Sequence, residues 1–357
     1  MTLVMTLPFR GDVSVLRFRH RRPVIRRWGA AALVALASGF LVPVHGQSAP
    51  PPNNVRSVNE WLTRMHEASN RRSYIGTLVV SAGSAMSASK IWHVCDGSQQ
   101  MERVDTLTGA PRTTIRRNKE VITFVPEAKT AFVEKRDSLG MFPELLRTPN
   151  NLIPQFYSAR EVGVQRVAGH LADMVEILPR DDLRFGYRIW SERQTGLVVK
   201  LQTLGEQGAV MEQVAFSELQ LDAPVSMEKL SKLMKDTRGY DVHKPALKKT
   251  TAEAEGWRLK EPVPGFTAMS CHTRENSGGA ESGAGQASMQ WVFSDGLASV
   301  SLFVEPFDPQ RHTQEASATM GATNSVNRRV GEHWLTVMGE VPVATLRRFA
   351  VALERTR

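Results

Sequence analysis

Residues 184–204 read RFGYRIWSERQTGLVVKLQTL, and this stretch decides the fold. Phe185, Tyr187 and Ile189 share one face of a strand over 184–191, as a period of two requires. Thr195-Gly196 marks a tight turn, and Leu197–Leu204 is the next strand. Outward from this pair, Val162–Val167 and Met174–Leu178 flank a turn at Gly169, and Val210–Leu219 follows Gln207-Gly208. Upstream, Tyr74–Ser81, Ile91–Cys95, Val121–Val125 and Ala131–Glu134 are short, β-rich runs between turn residues. Asp96-Gly97 is a hairpin signal among them. Pro143, Pro149 and Pro154 punctuate a segment of short helices and loop. The pattern predicts a meander of antiparallel strands.

A helix precedes the meander. Ser57 and Glu60 have the spacing of a capping box, and Val58, Trp61, Leu62 and Met65 form one apolar face. One helix against a long curved sheet buries one face of that sheet around an apolar concavity. The fold class is α+β, with a second, smaller α+β domain further on. Residues 223–253 read as a linker carrying a short amphipathic helix (Met227, Leu230, Leu233, Met234) and a Lys- and Thr-rich tail. The second unit, 254–357, contains strands near Phe266–His272, Met289–Phe293, Leu297–Glu305, Ser325–Val330 and His333–Gly339. A closing helix follows Pro342, and residues 276–288 are a Gly/Ser/Ala-rich loop.

Residues 1–46 look unlike the rest. A basic stretch containing Arg17, Arg19, Arg21, Arg22, Arg26 and Arg27 precedes the uncharged run Ala30–Val42, and Val44 and Gly46 are small residues suited to cleavage. That order predicts a secretory signal peptide over 1–46, with an apolar run too short to span a bilayer comfortably. The expected location is the periplasm. The whole chain has 45 Lys+Arg and 36 Asp+Glu, of which 1–46 hold seven Arg and one Asp. The remainder has 38 basic and 35 acidic residues, a net of +3. A pI near 9.8 therefore mostly reflects the leader, and no nucleic-acid partner is expected, because phosphate binding needs clustered cations. Two distant cysteines, Cys95 and Cys271, read as separate thiols rather than a disulfide framework.

Chemistry-bearing motifs are missing. The nine His residues are scattered, with no H-x-x-x-H or C-x-x-C spacing. No nucleophile elbow, P-loop or dinucleotide fingerprint is present. Asp181-Asp182, beside Pro179 and Arg180, reads as a turn. The expectation is a binding protein rather than an enzyme, with no cofactor and no metal.

An ordered series of short motifs runs along the chain. It comprises Tyr74-x-Gly76-Thr77, Asp96-Gly97, Ile115-Arg116-Arg117-Asn118, Phe142-Pro143 and Arg166-Val167-Ala168-Gly169. Pro179-Arg180-Asp181, Gly186-Tyr187-Arg188-x-Trp190 and Thr195-Gly196-Leu197 follow. The longest is the run Ser294–Glu305 (SDGLASVSLFVE), supported by Arg329-Val330-Gly331 and Gly339-Glu340-Val341-Pro342. In this order they resemble the RseB/MucB family, periplasmic negative regulators of the envelope-stress sigma factor sigma-E/AlgU. The resemblance implies a LolA/LolB-like antiparallel half-barrel with packed helices over 55–222, which senses lipid. It also implies a C-terminal domain over 254–357 that binds an anti-sigma factor. The implied partner is the periplasmic segment of a membrane anti-sigma factor of the RseA/MucA type, shielded from regulated proteolysis and released by an acylated ligand, lipoprotein or lipopolysaccharide. Homo-oligomerisation is left open.

For the lipid site the expected residues are Leu78, Val80, Ile91, Phe124, Phe185, Tyr187, Ile189 and Val199. Ordinary sheet-to-helix core is the plainer reading of any one of them. For the partner site they are Trp291, Phe293, Asp295, Gly296, Phe303 and Glu305, although Asp295-Gly296 also suits a simple hairpin turn. The alternative function is a lipid or lipoprotein carrier of the LolA/LolB type, which needs only the first domain.

Overall fold

The computed structural model describes residues 56–135, 152–244, 247–275 and 287–356. The expected leader, the Phe142-Pro143 motif and most of the 276–288 loop lie outside them.

The first domain opens on α1 (Val58–Arg71). Ser57 and Glu60 cap it reciprocally: Glu60 N donates to Ser57 Oγ at 3.3 Å, and Ser57 N donates to the Glu60 carboxylate at 2.6 Å. A meander follows: β1 (Tyr74–Ala82), β2 (Ala85–Cys95), β3 (Gln100–Thr106), β4 (Thr113–Arg117), β5 (Glu120–Val125) and β6 (Thr130–Lys135). The single turn α2 (Ile153–Phe156) leads into a second meander of β7 (Tyr157–Val167), β8 (His170–Pro179), β9 (Gly186–Glu192), β10 (Val198–Leu204) and β11 (Val210–Leu221). Then come α3 (Met227–Lys235) and β12 (Asp241–His243). These strands form one 12-stranded sheet in the order β12-β6-β5-β4-β3-β2-β1-β11-β10-β9-β8-β7. Every pairing is antiparallel except β12 with β6.

The sheet is open but strongly curled. Strands β7 and β11 are four places apart, roughly 19 Å in a flat sheet, yet they touch. His170 on β8 donates from Nε2 to the Leu219 carbonyl on β11 at 3.0 Å, and Trp190 on β9 donates from Nε1 to Gln165 on β7 at 2.9 Å. Helix α1 lies inside the curl and touches both β2 and β7. Its Val58, Trp61, Leu62 and Met65 pack on Val175, Ile177, Tyr187, Ile189 and Leu201. Ala68 packs with Tyr74, Leu78 and Ile91.

The opposite face is covered too. Side chains alternate along each strand, so Ile91 and His93 face α1 whereas Val94 faces away. On that outer face Val94, Met101, Ile115, Ile122, Phe124 and Ala131 pack under Leu230 and Met234 of α3. A single buried face was expected; two helices bury opposite faces at opposite ends of the sheet.

The second domain contains β13 (Leu247–Lys249), β14 (Trp257–Leu259), β15 (Thr267–Glu275), β16 (Ala287–Ser294), β17 (Ser299–Pro306), β18 (Ser317–Met320), β19 (Thr323–Val330), β20 (His333–Gly339), α4 (Val343–Ala352) and β21 (Leu353–Arg355). Seven strands make an antiparallel sheet ordered β13-β15-β16-β17-β20-β19-β18, and β14 pairs with β21. Helix α4 buries Leu346, Phe349 and Ala350 against Phe266, Phe293, Val300 and Leu302. Most of the expected linker is built into the domains: α3 and β12 belong to the first, β13 to the second. The crossing narrows to the few residues between His243 and Leu247. Both cysteine thiols are free.

The α1 face also holds a polar cluster. His93 is 2% exposed, stacks on Tyr74 at 4.9 Å, and donates from Nδ1 to the Arg72 carbonyl at 2.7 Å. Glu102 pairs with Arg116 at 3.1 Å nearby. Burial lowers the His93 pKa, opposed by the Glu102 carboxylate. The unfolded chain therefore takes up this proton first. The stability involved is fully present above an unfolded pKa of about 6.5 and is lost as pH falls from there through the folded value. Urea melts between pH 7 and 5 should show this loss, and His93→Gln should flatten it; an unchanged slope would reject the assignment.

Candidate functional site

The turn between β16 and β17 is built around one carboxylate. Asp295 Oδ1 accepts from the backbone N–H groups of Leu297 (2.9 Å) and Ala298 (2.8 Å). Gly296 has φ +99°, a left-handed conformation that suits glycine. Ser294 Oγ donates to the Ala298 carbonyl and accepts from Gly296 N, which closes the turn. The hairpin signal at Asp295-Gly296 is thus a real turn.

The other carboxylate oxygen leaves the domain. Asp295 Oδ2 accepts from Arg184 Nε at 2.7 Å and from the Tyr157 hydroxyl at 2.9 Å, and both donors belong to the first domain. The side chains of Arg184 and Asp295 are both 0% exposed. A buried guanidinium stays charged and needs every donor placed. Arg184 Nη1 pairs with Asp181, and Nη2 donates to the Pro264 carbonyl at 2.6 Å. Its plane lies over the rings of Phe156 (4.2 Å) and Phe266 (4.9 Å), one from each domain. Gly265 adjoins it with φ +80°, and a Cβ there would fall 2.1 Å from Arg184 Nη2. Burial, reinforced by the Asp295 charge, raises the Tyr157 pKa well above its ordinary value, so it serves as a neutral donor.

Two leucines interlock beside this pair. Leu183, from the first domain, is buried in the second domain's core among residues such as Trp257, Phe266 and Phe349. Thr345 at the start of α4 donates to the Leu183 carbonyl at 2.8 Å. Reciprocally, Leu297 enters the first domain's cluster with Trp61, Leu62, Met65, Tyr187 and Ile189. A lighter contact lies elsewhere on the seam, where Ala322 N donates to Glu212 on β11 at 3.3 Å.

The residues expected at the lipid site are divided by the fold. Leu78, Ile91 and Val199 lie in the cluster that holds Ala68 of α1, with Val80 half-buried at its edge. Tyr187 and Ile189 lie beneath Trp61 and Met65. Phe185 is buried just before β9. Phe124 does not join them: it is on the outer face, edge-on to Tyr240 at 5.1 Å. Of the residues expected at the partner site, Trp291 and Phe293 are core, their rings 4.6 Å apart, and Phe293 also meets Phe349. Asp295 and Gly296 form the seam. Phe303 and Glu305 project from the other face of β17, where Glu305 accepts from His312 Nε2 at 3.1 Å. Sequence reasoning missed Arg184, Tyr157, Leu183 and Leu297. The signal for Leu183 and Arg184 was their place directly after the Asp181-Asp182 turn, where an apolar and a cationic residue lead an apolar strand.

No cluster of His, Cys, Asp and Glu fit to hold a metal occurs among the described residues, and no helix among them is long and apolar enough to cross a membrane. What the geometry defines is a two-domain protein whose halves share a buried, charged seam. Residues 57–234 match the MucB/RseB N-terminal domain and residues 251–354 the MucB/RseB C-terminal domain, so the chain belongs to the MucB/RseB family. It is 28% identical over 312 residues to the sigma factor AlgU regulatory protein MucB of Pseudomonas aeruginosa, covering 85% of this chain and 93% of that protein. It is 23% identical over 333 residues to the sigma-E factor regulatory protein RseB of Escherichia coli K12, covering 90% and 96%. The solved MucA/MucB complex of Pseudomonas aeruginosa matches with 27% identity and a TM-score of 0.63, over 84% of this chain and 99% of that chain.

Asp295→Ala should leave Arg184 with Asp181 as its one carboxylate and bury Arg184 Nε and the Tyr157 hydroxyl without an acceptor, and breaking one side of such a buried pair costs about 3–5 kcal/mol. Equilibrium urea unfolding checks this; a loss below about 1 kcal/mol, the level of an exposed pair, would show that the seam is not energetically coupled.

Proposed function

We propose that this protein is a periplasmic regulator that binds the periplasmic segment of a membrane anti-sigma factor of the RseA/MucA type. Bound, that segment is shielded from regulated proteolysis, and the sigma-E/AlgU-type factor stays restrained. An exported protein cannot reach DNA or a cytoplasmic sigma factor, so it acts across the membrane through this partner. The observation that carries the reading is the span of the family match. It runs through both domains, and the chain aligns over 83% of its length, with a TM-score of 0.63, to MucB solved in complex with MucA(peri).

Release by an acylated ligand follows if that ligand prefers the form that holds anti-sigma factor poorly, since one ligand shifts another only through such a difference. The inner face of the curled sheet is apolar, with Leu78, Ile91, Tyr187 and Ile189 buried against α1. An acyl chain would enter by displacing part of that packing, and each methylene it buried there would contribute about 0.8 kcal/mol. A carrier acting through the first domain alone fits less well, because Leu183 and Leu297 tie each domain into the core of the other.

The test is titration calorimetry of the purified, folded protein against the periplasmic segment of a MucA-type anti-sigma factor. Saturable one-site binding is expected. No detectable heat, with no co-elution on size exclusion, would remove the proposal.

A further inference from the structure

Leu297 is the only second-domain residue in a cluster otherwise made of α1, α2 and the β7–β10 strands among the described residues. It is placed there by a turn fixed at both ends: Asp295 Oδ1 holds the Leu297 and Ala298 amides, and Asp295 Oδ2 is tied to Arg184 and Tyr157. An aliphatic side chain from one domain thus occupies apolar space belonging to the other.

The same cluster contains unsatisfied polar atoms. Trp61 Nε1 and the Tyr187 hydroxyl are buried without a hydrogen-bond partner. Ser191 Oγ is another, two pairs along β9 from Tyr187 and therefore on the same face. Buried polar groups are nearly always paired, and each exception calls for a reason. The indole N–H is a donor only, and the phenol can donate. The complement to apolar packing with two unmet donors is an aliphatic chain that carries an acceptor oxygen, as the ester or amide carbonyl of an acyl group does.

We propose that the Asp295–Leu297 turn is a built-in plug: Leu297 occupies the position an acyl chain takes on the inner face, so acyl ligand and second domain compete for one site. This rests on the lipid-responsive reading above and supplies its coupling. An acyl chain entering beneath α1 displaces Leu297, the turn withdraws, and the Asp295–Arg184 pair is pulled apart with it. The ligand thereby acts on the relation between the domains without touching the second domain's sheet. Its carbonyl accepts from Trp61 Nε1 or the Tyr187 hydroxyl.

The test is fluorescence anisotropy of a labelled N-palmitoyl dipeptide amide with the full chain, using the same dipeptide without the acyl group as control. Leu297→Ala, which shortens the plug, should bind the palmitoyl probe about tenfold more tightly than wild type, the scale of one buried leucine side chain. Leu297→Met keeps the volume and should bind like wild type, which guards against an effect of misfolding. Leu183→Ala loosens the seam from the other side and leaves the plug in place, so its affinity should change by much less than that of Leu297→Ala. Equal affinity in wild type and Leu297→Ala, or equal gains in Leu183→Ala and Leu297→Ala, would overturn the plug while leaving lipid binding intact. No binding of the palmitoyl probe to any of the four proteins would remove the lipid-responsive reading and the plug with it.

Discussion

The arrangement of this protein depends on one buried charge. A guanidinium taken out of water must have its donors met, and Arg184 meets them with groups that neither domain supplies alone: Asp181 from the first, Asp295 and the Pro264 carbonyl from the second. Either domain by itself would leave part of this network unmet: Arg184 would keep only Asp181, and Asp295 Oδ2 would lose both of its side-chain donors. The two aromatic rings over the guanidinium and the exchanged leucines exclude water from the pair, which strengthens it and raises the cost of separation. The covalent crossing between His243 and Leu247 is short, but the seam, not the crossing, sets how the domains meet.

Much of the fold was legible from periodicity and turn chemistry. The capping box of α1, the alternation in β9, and the turns at Thr195-Gly196 and Asp295-Gly296 are local devices, and local devices survive in sequence. Strands β3 and β4 were missed because QMERVDT and TTIRR look polar. They bury an ion pair, Glu102 with Arg116, on one face and only Met101 and Ile115 on the other. Within the stretch read as a linker, β12 and β13 were not legible for a similar reason. Strands β12 and β13 are three residues each, too short for any period, and they exist only because a neighbouring edge accepts them.

The candidate site was less legible, since its parts are distant in the chain. Asp295 was singled out as a residue facing a partner. Its partner in this structure is internal, and nothing near it in sequence announces Arg184, 111 positions away. Trp291 and Phe293 illustrate the ambiguity of aromatic content, which suits an interface anchor and a core equally; here they form the core beneath α4. Phe124 fell on the other face from its expected companions because α3, read as part of a linker, supplies a second apolar surface to cover.

If the seam joins the domains energetically, they unfold as one unit. Differential scanning calorimetry of the protein measures this most directly, by comparing the calorimetric enthalpy with the van't Hoff enthalpy of the transition. The account predicts a single transition with the two enthalpies equal for the wild-type protein, and separation into two transitions for Asp295→Ala. Two independent transitions already present in the wild-type protein would contradict it.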